Sequence, residues 1–106
     1  MLESKFQAQL ICEITQRIPD SIVLKNDSGY LQGIPDLTVL CGDKWAMLEC
    51  KKSKDEPHQP NQDYYIDWAD RQAFGRFIFP ENKEEVLCEL QQALQSGGKA
   101  RLSGSK

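Results

Sequence analysis

Histidine is almost missing: His58 stands alone among 106 residues. That excludes a site built on several imidazoles. It also leaves the four cysteines, Cys12, Cys41, Cys50 and Cys88, without partners for a Cys/His zinc site, and no two of them are spaced as CxxC. Long apolar runs are lacking, so no segment is long enough to span a bilayer. An excess of positive charge is lacking as well: 13 Lys and Arg against 16 Asp and Glu give a formal net charge of −3. A uniformly basic coat for nucleic acid is thereby excluded, whereas a local basic surface is not. No internal repeat and no linker divides the chain, and its length suits one domain with a modest core.

What is present patterns well. Cys12, Cys41 and Cys88 sit among apolar residues and read as small buried hydrophobes. The opening Met-Leu-Glu-Ser-Lys reads as the start of an amphipathic helix and not as a leader, which points to a reduced, intracellular protein. Phe6, Leu10, Ile11, Ile14 and Ile18 recur at helical spacing over 3–18. Strands are expected at Ser21–Lys25, Leu37–Leu40 and Trp45–Lys51, the last two joined as a hairpin by Gly42-Asp43. Residues 52–60 are polar with two prolines and read as a loop. A second helix is expected from Asn61 to Phe74, with Tyr65, Trp68, Ala69 and Gln72 on one face and Gly75 as its stop.

Arg76–Phe79 reads as a fourth strand, parallel to a neighbour because it follows a helical crossover. Asn82 and Glu85 form a capping pair for a third helix with Val86, Leu87, Leu90 and Leu94 inward. Ser96-Gly97-Gly98 would end it. The expectation is one domain over 1–96 and a flexible basic tail over 97–106. The fold class is α/β in the order αβββαβα, a mixed central sheet flanked by helices.

Three residues carry chemistry by type and spacing. Glu49 and Lys51 are two apart on one strand, so they share a face. Asp36 follows Pro35 at the start of the strand before, and the hairpin brings it opposite that end. Hard divalent cations such as Mg²⁺ take oxygen ligands, which Asp36, Glu49 and the Cys50 carbonyl can supply. Lys51 could orient or deprotonate a water, or neutralise charge on a phosphorane. Lys52 and Lys54 follow that strand and suit phosphate contacts, and Lys25 and Tyr30 flank the loop before Asp36, which could touch substrate. Each motif also has a plainer reading. A Pro-Asp pair often starts a turn, Glu-x-Lys is often a solvated ion pair, and a lone loop histidine such as His58 is often merely exposed. Trp45 and Trp68 read as core or dimer-contact residues.

Ile34-Pro35-Asp36 followed by Leu48-Glu49-Cys50-Lys51 resembles the signature of the PD-(D/E)xK nuclease superfamily, and the element order over residues 3 to about 95 resembles its restriction-endonuclease-like core. Gly33–Asp36, Leu48–Lys52 and Gln59–Tyr65 look like its small phage-type members, the VRR-NUC and Holliday-junction-resolvase kind. The resemblance implies a Mg²⁺-dependent DNA endonuclease, with Mn²⁺ able to substitute, acting on branched or junction DNA. It implies Asp36, Glu49 and Lys51 as catalytic residues, Glu3 on the first helix as a further metal ligand, and Gln62 near the metal-bound water or the phosphate. The Gln62-Asp63-Tyr64-Tyr65 stretch departs from the longer-spaced glutamine–tyrosine motif of some exonucleases. A homodimer is expected for symmetric cutting, with no membrane and no nucleotide cofactor, in the cytoplasm, or the host cytoplasm if phage-encoded. The alternatives are a nicking or homing or replication-repair endonuclease on duplex DNA, and a DNA-binding module on the same fold without activity.

Overall fold

In the computed structural model, Phe6, Leu10 and Ile14 fall at intervals of four and form the buried stripe of α1, Glu3–Arg17. Backbone is described for residues 2–104 and side chains for residues 2–95. Three strands follow: β1, Ile22–Lys25; β2, Leu37–Cys41; and β3, Lys44–Cys50. Helix α2, Gln62–Gln72, crosses to β4, Gly75–Ile78, and α3 spans Lys83–Gly104. The order is the expected αβββαβα.

The sheet runs β1-β2-β3-β4, antiparallel throughout except for the parallel β3/β4 pair. Gly42, at φ 62°, supplies the left-handed residue of the two-residue turn that joins Cys41 to its partner Lys44. That closure sets the register Leu37↔Leu48, so Asp36 lies beside Glu49 at the end of the hairpin.

Strand alternation divides the sheet into two faces. Leu37, Val39, Ala46, Leu48, Cys50 and Ile78 join Phe6, Leu10 and Ile14 of α1 and Val86, Leu87, Leu90 and Leu94 of α3 in the main core. Ion pairs from Lys83 to Glu13 (2.8 Å) and from Arg17 to Glu84 (2.6 Å) tie these two helices together at their surface. Trp45, Met47, Glu49 and Lys51 point the other way, toward α2, where Trp45 meets Trp68 with ring centroids 5.6 Å apart.

Several expectations change on contact with the packing. Cys12 and Cys88 are exposed and Cys41 is half-buried; the first two sit off the buried stripes of their helices. The buried residues of α2 are Ile66 and Ala69, with Gln62 one turn earlier on the same side. Trp68 and Gln72 are exposed and Tyr65 half-buried. Asn82 does not cap α3 through its side chain as expected. Its carboxamide turns back to the strand, accepting from the Phe79 N–H (2.9 Å) and donating to the Phe77 carbonyl (3.0 Å). The helix α3 passes through Ser96-Gly97-Gly98, a glycine pair that a helix interior tolerates at about 1 kcal/mol each. The side chains of the expected tail, 97–106, lie outside the described residues.

Gly75 is not a helix stop; Ala73 is the C-cap and Gly75 opens β4. A Cβ there would lie 2.4 Å from the Ile66 carbonyl oxygen and 2.8 Å from the Asp70 nitrogen. The missing side chain is what lets α2 sit down on the sheet. Gly75→Ala is therefore expected to destabilise by about 1–3 kcal/mol, the cost of overpacking against backbone that cannot yield. Chemical denaturation would measure it, and an unchanged midpoint would show that α2 stands further off the sheet than described.

Candidate metal centre

Asp36 is aimed by its flanks. Pro35 is buried, and Asn26 grips the turn from below, its Nδ2 lying 2.8 Å from both the Pro35 carbonyl and Thr38 Oγ1. The Asn26 N–H donates to the Asp36 carbonyl at 2.8 Å. With the backbone pinned, Asp36 Oδ2 accepts the Cys50 N–H at 2.9 Å, and the Asp36 N–H donates to Glu49 Oε1 at 3.2 Å. The two carboxylates are thus cross-linked through each other's strand.

Glu3 comes from the first turn of α1. One carboxylate oxygen from each of Glu3, Asp36 and Glu49 lies within 4.8 Å of the other two. Glu49 is 3% exposed. Burial, and then the charge of Asp36, pushes its carboxyl up to about 8, against a Lys51 charge that pulls it down. Asp36 is raised mainly by burial, offset by the Cys50 N–H and Lys51. Glu3 is raised by burial and by the charges of Asp36 and Glu56. Three acids short of compensating charge, offering only hard oxygen donors, are what a small divalent cation would bind.

Lys51 is 2% exposed, so its ammonium must find partners inside the protein. It donates to Gln62 Oε1 at 2.7 Å and to the Pro57 carbonyl at 3.1 Å, and lies 3.7 Å from Glu56 Oε2. Gln62 links the two catalytic candidates: its Oε1 also accepts the Gln59 N–H (2.8 Å), while its Nε2 donates to Glu49 Oε2 (2.8 Å). Glu56 in turn accepts the Lys52 N–H at 2.6 Å, which folds the 52–60 loop over the lysine.

These groups line one cavity of about 320 Å³, bounded by Glu3, Asp36, Glu49, Lys51, Glu56 and Gln62, with Ser28, Gly33, Ile34 and Gln59 at its margins. The expected set Glu3, Asp36, Glu49, Lys51 and Gln62 is therefore brought together. Cys50 contributes its N–H, while its thiol lies in the core on the other face, where burial pushes its pKa up. Lys25, Lys52 and Lys54 are exposed and do not line the cavity, although the charge of Lys52 reaches Glu3. His58 also lies outside it. Its ring stacks on Phe77 at 4.0 Å, with Nδ1 2.6 Å from Asp63 Oδ1, so it braces the loop. Glu56, Gln59 and the Pro57 carbonyl are site members that motif spacing did not single out. The one signal available was that a buried lysine requires acceptors, and the polar loop directly after it holds several.

No family model, curated protein or solved structure matches the chain. Among the described residues no helix is long and apolar enough to cross a membrane.

Proposed function

We propose that the chain is a Mg²⁺-dependent DNA endonuclease with a PD-(D/E)xK core, of the small VRR-NUC or Holliday-junction-resolvase kind. The observation that carries this is the convergence of Glu3, Asp36 and Glu49 within 4.8 Å beside the buried Lys51, on an αβββαβα scaffold. Glu3, Asp36 and Glu49 would hold the cation, joined by the Cys50 carbonyl. Mn²⁺, equally suited to oxygen donors, would substitute. A bound divalent cation supplies phosphate neutralisation, an acidified water and a stabilised leaving oxygen.

The rest falls to the chain. Asp36, held by the Cys50 N–H, and Glu49, held by the Asp36 N–H and by Gln62, present fixed oxygens. Lys51 brings a positive charge to the edge of that cluster, and Gln62 sets its position relative to Glu49. The geometry suits Lys51 either to orient or deprotonate an attacking water or to neutralise the phosphorane. Lys25, Lys52 and Lys54 would meet phosphates outside the cavity. Junction DNA is the proposed substrate class. Cutting two strands symmetrically goes with a two-fold dimer. The apolar row Ile22, Leu40 and Trp45, continued by Trp68, is partly open on the α2 side of the sheet and suits such a contact.

A panel of four-way, flap, nicked and linear DNA, incubated with Mg²⁺ or with a chelator, tests the proposal. Cleavage is expected with Mg²⁺ only, greatest on four-way DNA, by a species that sediments as a dimer. Equal cutting of linear duplex would shift the reading to a duplex-acting nicking or repair endonuclease. Binding without any cutting would make it an inactive DNA-binding module.

A further inference from the structure

The loop between β1 and Asp36 displays an aromatic ring. Tyr30 is 88% exposed, the most exposed large apolar side chain among the described residues, and Leu31 beside it is 38% exposed. A ring left in water at the tip of a loose loop would mean little. This loop is tied down. Asp27 Oδ1 accepts the Gly29 N–H at 2.8 Å, the Asp27 carbonyl accepts the N–H groups of Tyr30 (3.1 Å) and Leu31 (3.3 Å), and the Leu31 carbonyl accepts that of Ile34 (3.1 Å).

At its far end Gly33 is buried at φ 90°. A Cβ there would come within 2.5 Å of the Asn61 Cβ and 2.8 Å of the Pro60 carbonyl oxygen. The knuckle is thus docked against the start of α2, the helix that carries Gln62. Ser28 and Gly33, on either side of Tyr30, both line the acidic cavity. Two peptide units separate Tyr30 from Ser28, so their Cα atoms are at most about 7.6 Å apart. The backbone that carries the ring is fixed next to the place where a phosphate would react.

From this placement we infer that Tyr30 is a substrate-specificity residue that stacks on an unpaired DNA base next to the scissile phosphate, with Leu31 extending the apolar tip. This rests on the endonuclease reading above. A base inside continuous duplex has both faces covered by its neighbours, whereas an unpaired flap base, or a base freed where a branch point opens, offers a free π-face, and stacking on an aromatic ring is indifferent to its identity. A loop backbone fixed before binding leaves only the side-chain torsions of Tyr30 to be ordered afterwards. The knuckle would therefore favour DNA carrying unpaired bases over continuous duplex. It would act on binding and not on the chemical step, since Tyr30 does not line the cavity.

Steady-state cleavage with Mg²⁺ by the wild type, Tyr30→Phe and Tyr30→Ala, on a single-stranded flap substrate and on a fully paired duplex of the same sequence, tests this. Tyr30→Ala is expected to raise KM on the flap by about 5-fold to 150-fold, the range for loss of one stacked base, with kcat and melting temperature unchanged. Duplex cleavage should not respond, and Tyr30→Phe should behave as wild type because the ring remains. A 2-aminopurine at the unpaired position should be quenched by the wild type and not by Tyr30→Ala. Wild-type cleavage with KM indifferent to Tyr30→Ala overturns this inference and leaves the endonuclease reading standing. So does an equal loss on both substrates accompanied by a changed sedimentation mass, which would make Tyr30 a contact between protein copies. If the wild type cuts no DNA under any condition, the endonuclease reading falls, and this one with it.

Discussion

Asp36→Asn is expected to lower Mg²⁺-dependent cleavage by about a thousand-fold or more while making the metal-free protein harder to melt at about pH 8. The first half follows from the loss of one of three converging carboxylates and its bound cation's electrostatic contribution. The second half follows from the geometry. Asp36 uses Oδ2 to accept the Cys50 N–H, and an asparagine can keep an oxygen there. What disappears is a negative charge within 4.8 Å of two others. At the screening of a cavity open to water, that repulsion is worth on the order of 1 kcal/mol. For a domain of this size that is about 4–8 °C of melting temperature.

Glu49→Gln is a poorer probe. Gln62 donates to Glu49 Oε2 while the Asp36 N–H donates to Oε1. A carboxamide at 49 would set one donor against another. Loss of activity together with a gain in stability separates a functional acid from one that merely holds the fold. A variant that still cuts at near wild-type rate, or that melts lower, would remove Asp36 from the proposed centre.

Metal-free, the protein should lose stability as pH rises from about 5 to about 8, and Mg²⁺ should return it. Glu49 is raised from 4.5 to about 8, and Glu3 and Asp36 are raised with it. The folded state therefore binds protons more tightly than the unfolded chain. The stability linked to that binding is fully present below about 4.5 and is lost as pH climbs through about 8. Solvent at the cavity mouth screens these charges, so the loss should be on the order of 1–2 kcal/mol, or roughly 4–16 °C.

A divalent cation binds the deprotonated acids, so its stabilising effect should grow in the same pH interval. At a hundred times its Kd it would add about 2.7 kcal/mol. Melting curves at several pH values, with Mg²⁺ or chelator, would measure both arms. A flat metal-free profile, or a Mg²⁺ effect no larger at high pH than at low, would show that the three acids are not a cation site.

The parts of this site legible in the sequence are those governed by short-range geometry. Alternation along β3 puts Glu49 and Lys51 on one face, and a two-residue turn at Gly42-Asp43 admits one register, which brings in Asp36. Neither needs knowledge of the rest of the chain. The acceptors around Lys51 did not follow in this way. Glu56 and the Pro57 carbonyl reach the ammonium because a buried charge organises an irregular loop, and irregular loops have no period to read. Gly75 looked like punctuation between a helix and a strand. Its reason lies in how closely α2 approaches the sheet, which is a property of two surfaces meeting. Asn82 has the right spacing to Glu85 for a cap, but the Phe77 carbonyl of β4 and the Phe79 N–H just past that strand win its carboxamide. The cysteines mislead differently. Apolar neighbours suggested burial, although Cys12 is already out of step with the Phe6, Leu10, Ile14 stripe.

The amide of Gln62 has a direction. Its oxygen faces two donors, Lys51 Nζ and the Gln59 N–H, and its nitrogen faces an acceptor, Glu49 Oε2. Turning the amide over would oppose donor to donor at one end and acceptor to acceptor at the other. The order of charges along β3 is therefore written into the helix opposite it. A strand reading Lys-x-Glu in the same place would keep composition, burial and net charge, yet it would need the amide turned over, and that sets its NH2 against the Gln59 N–H. The acid-first, base-second order is in this sense an agreement between β3 and the backbone leading into α2, relayed by a neutral side chain whose direction the Gln59 N–H selects.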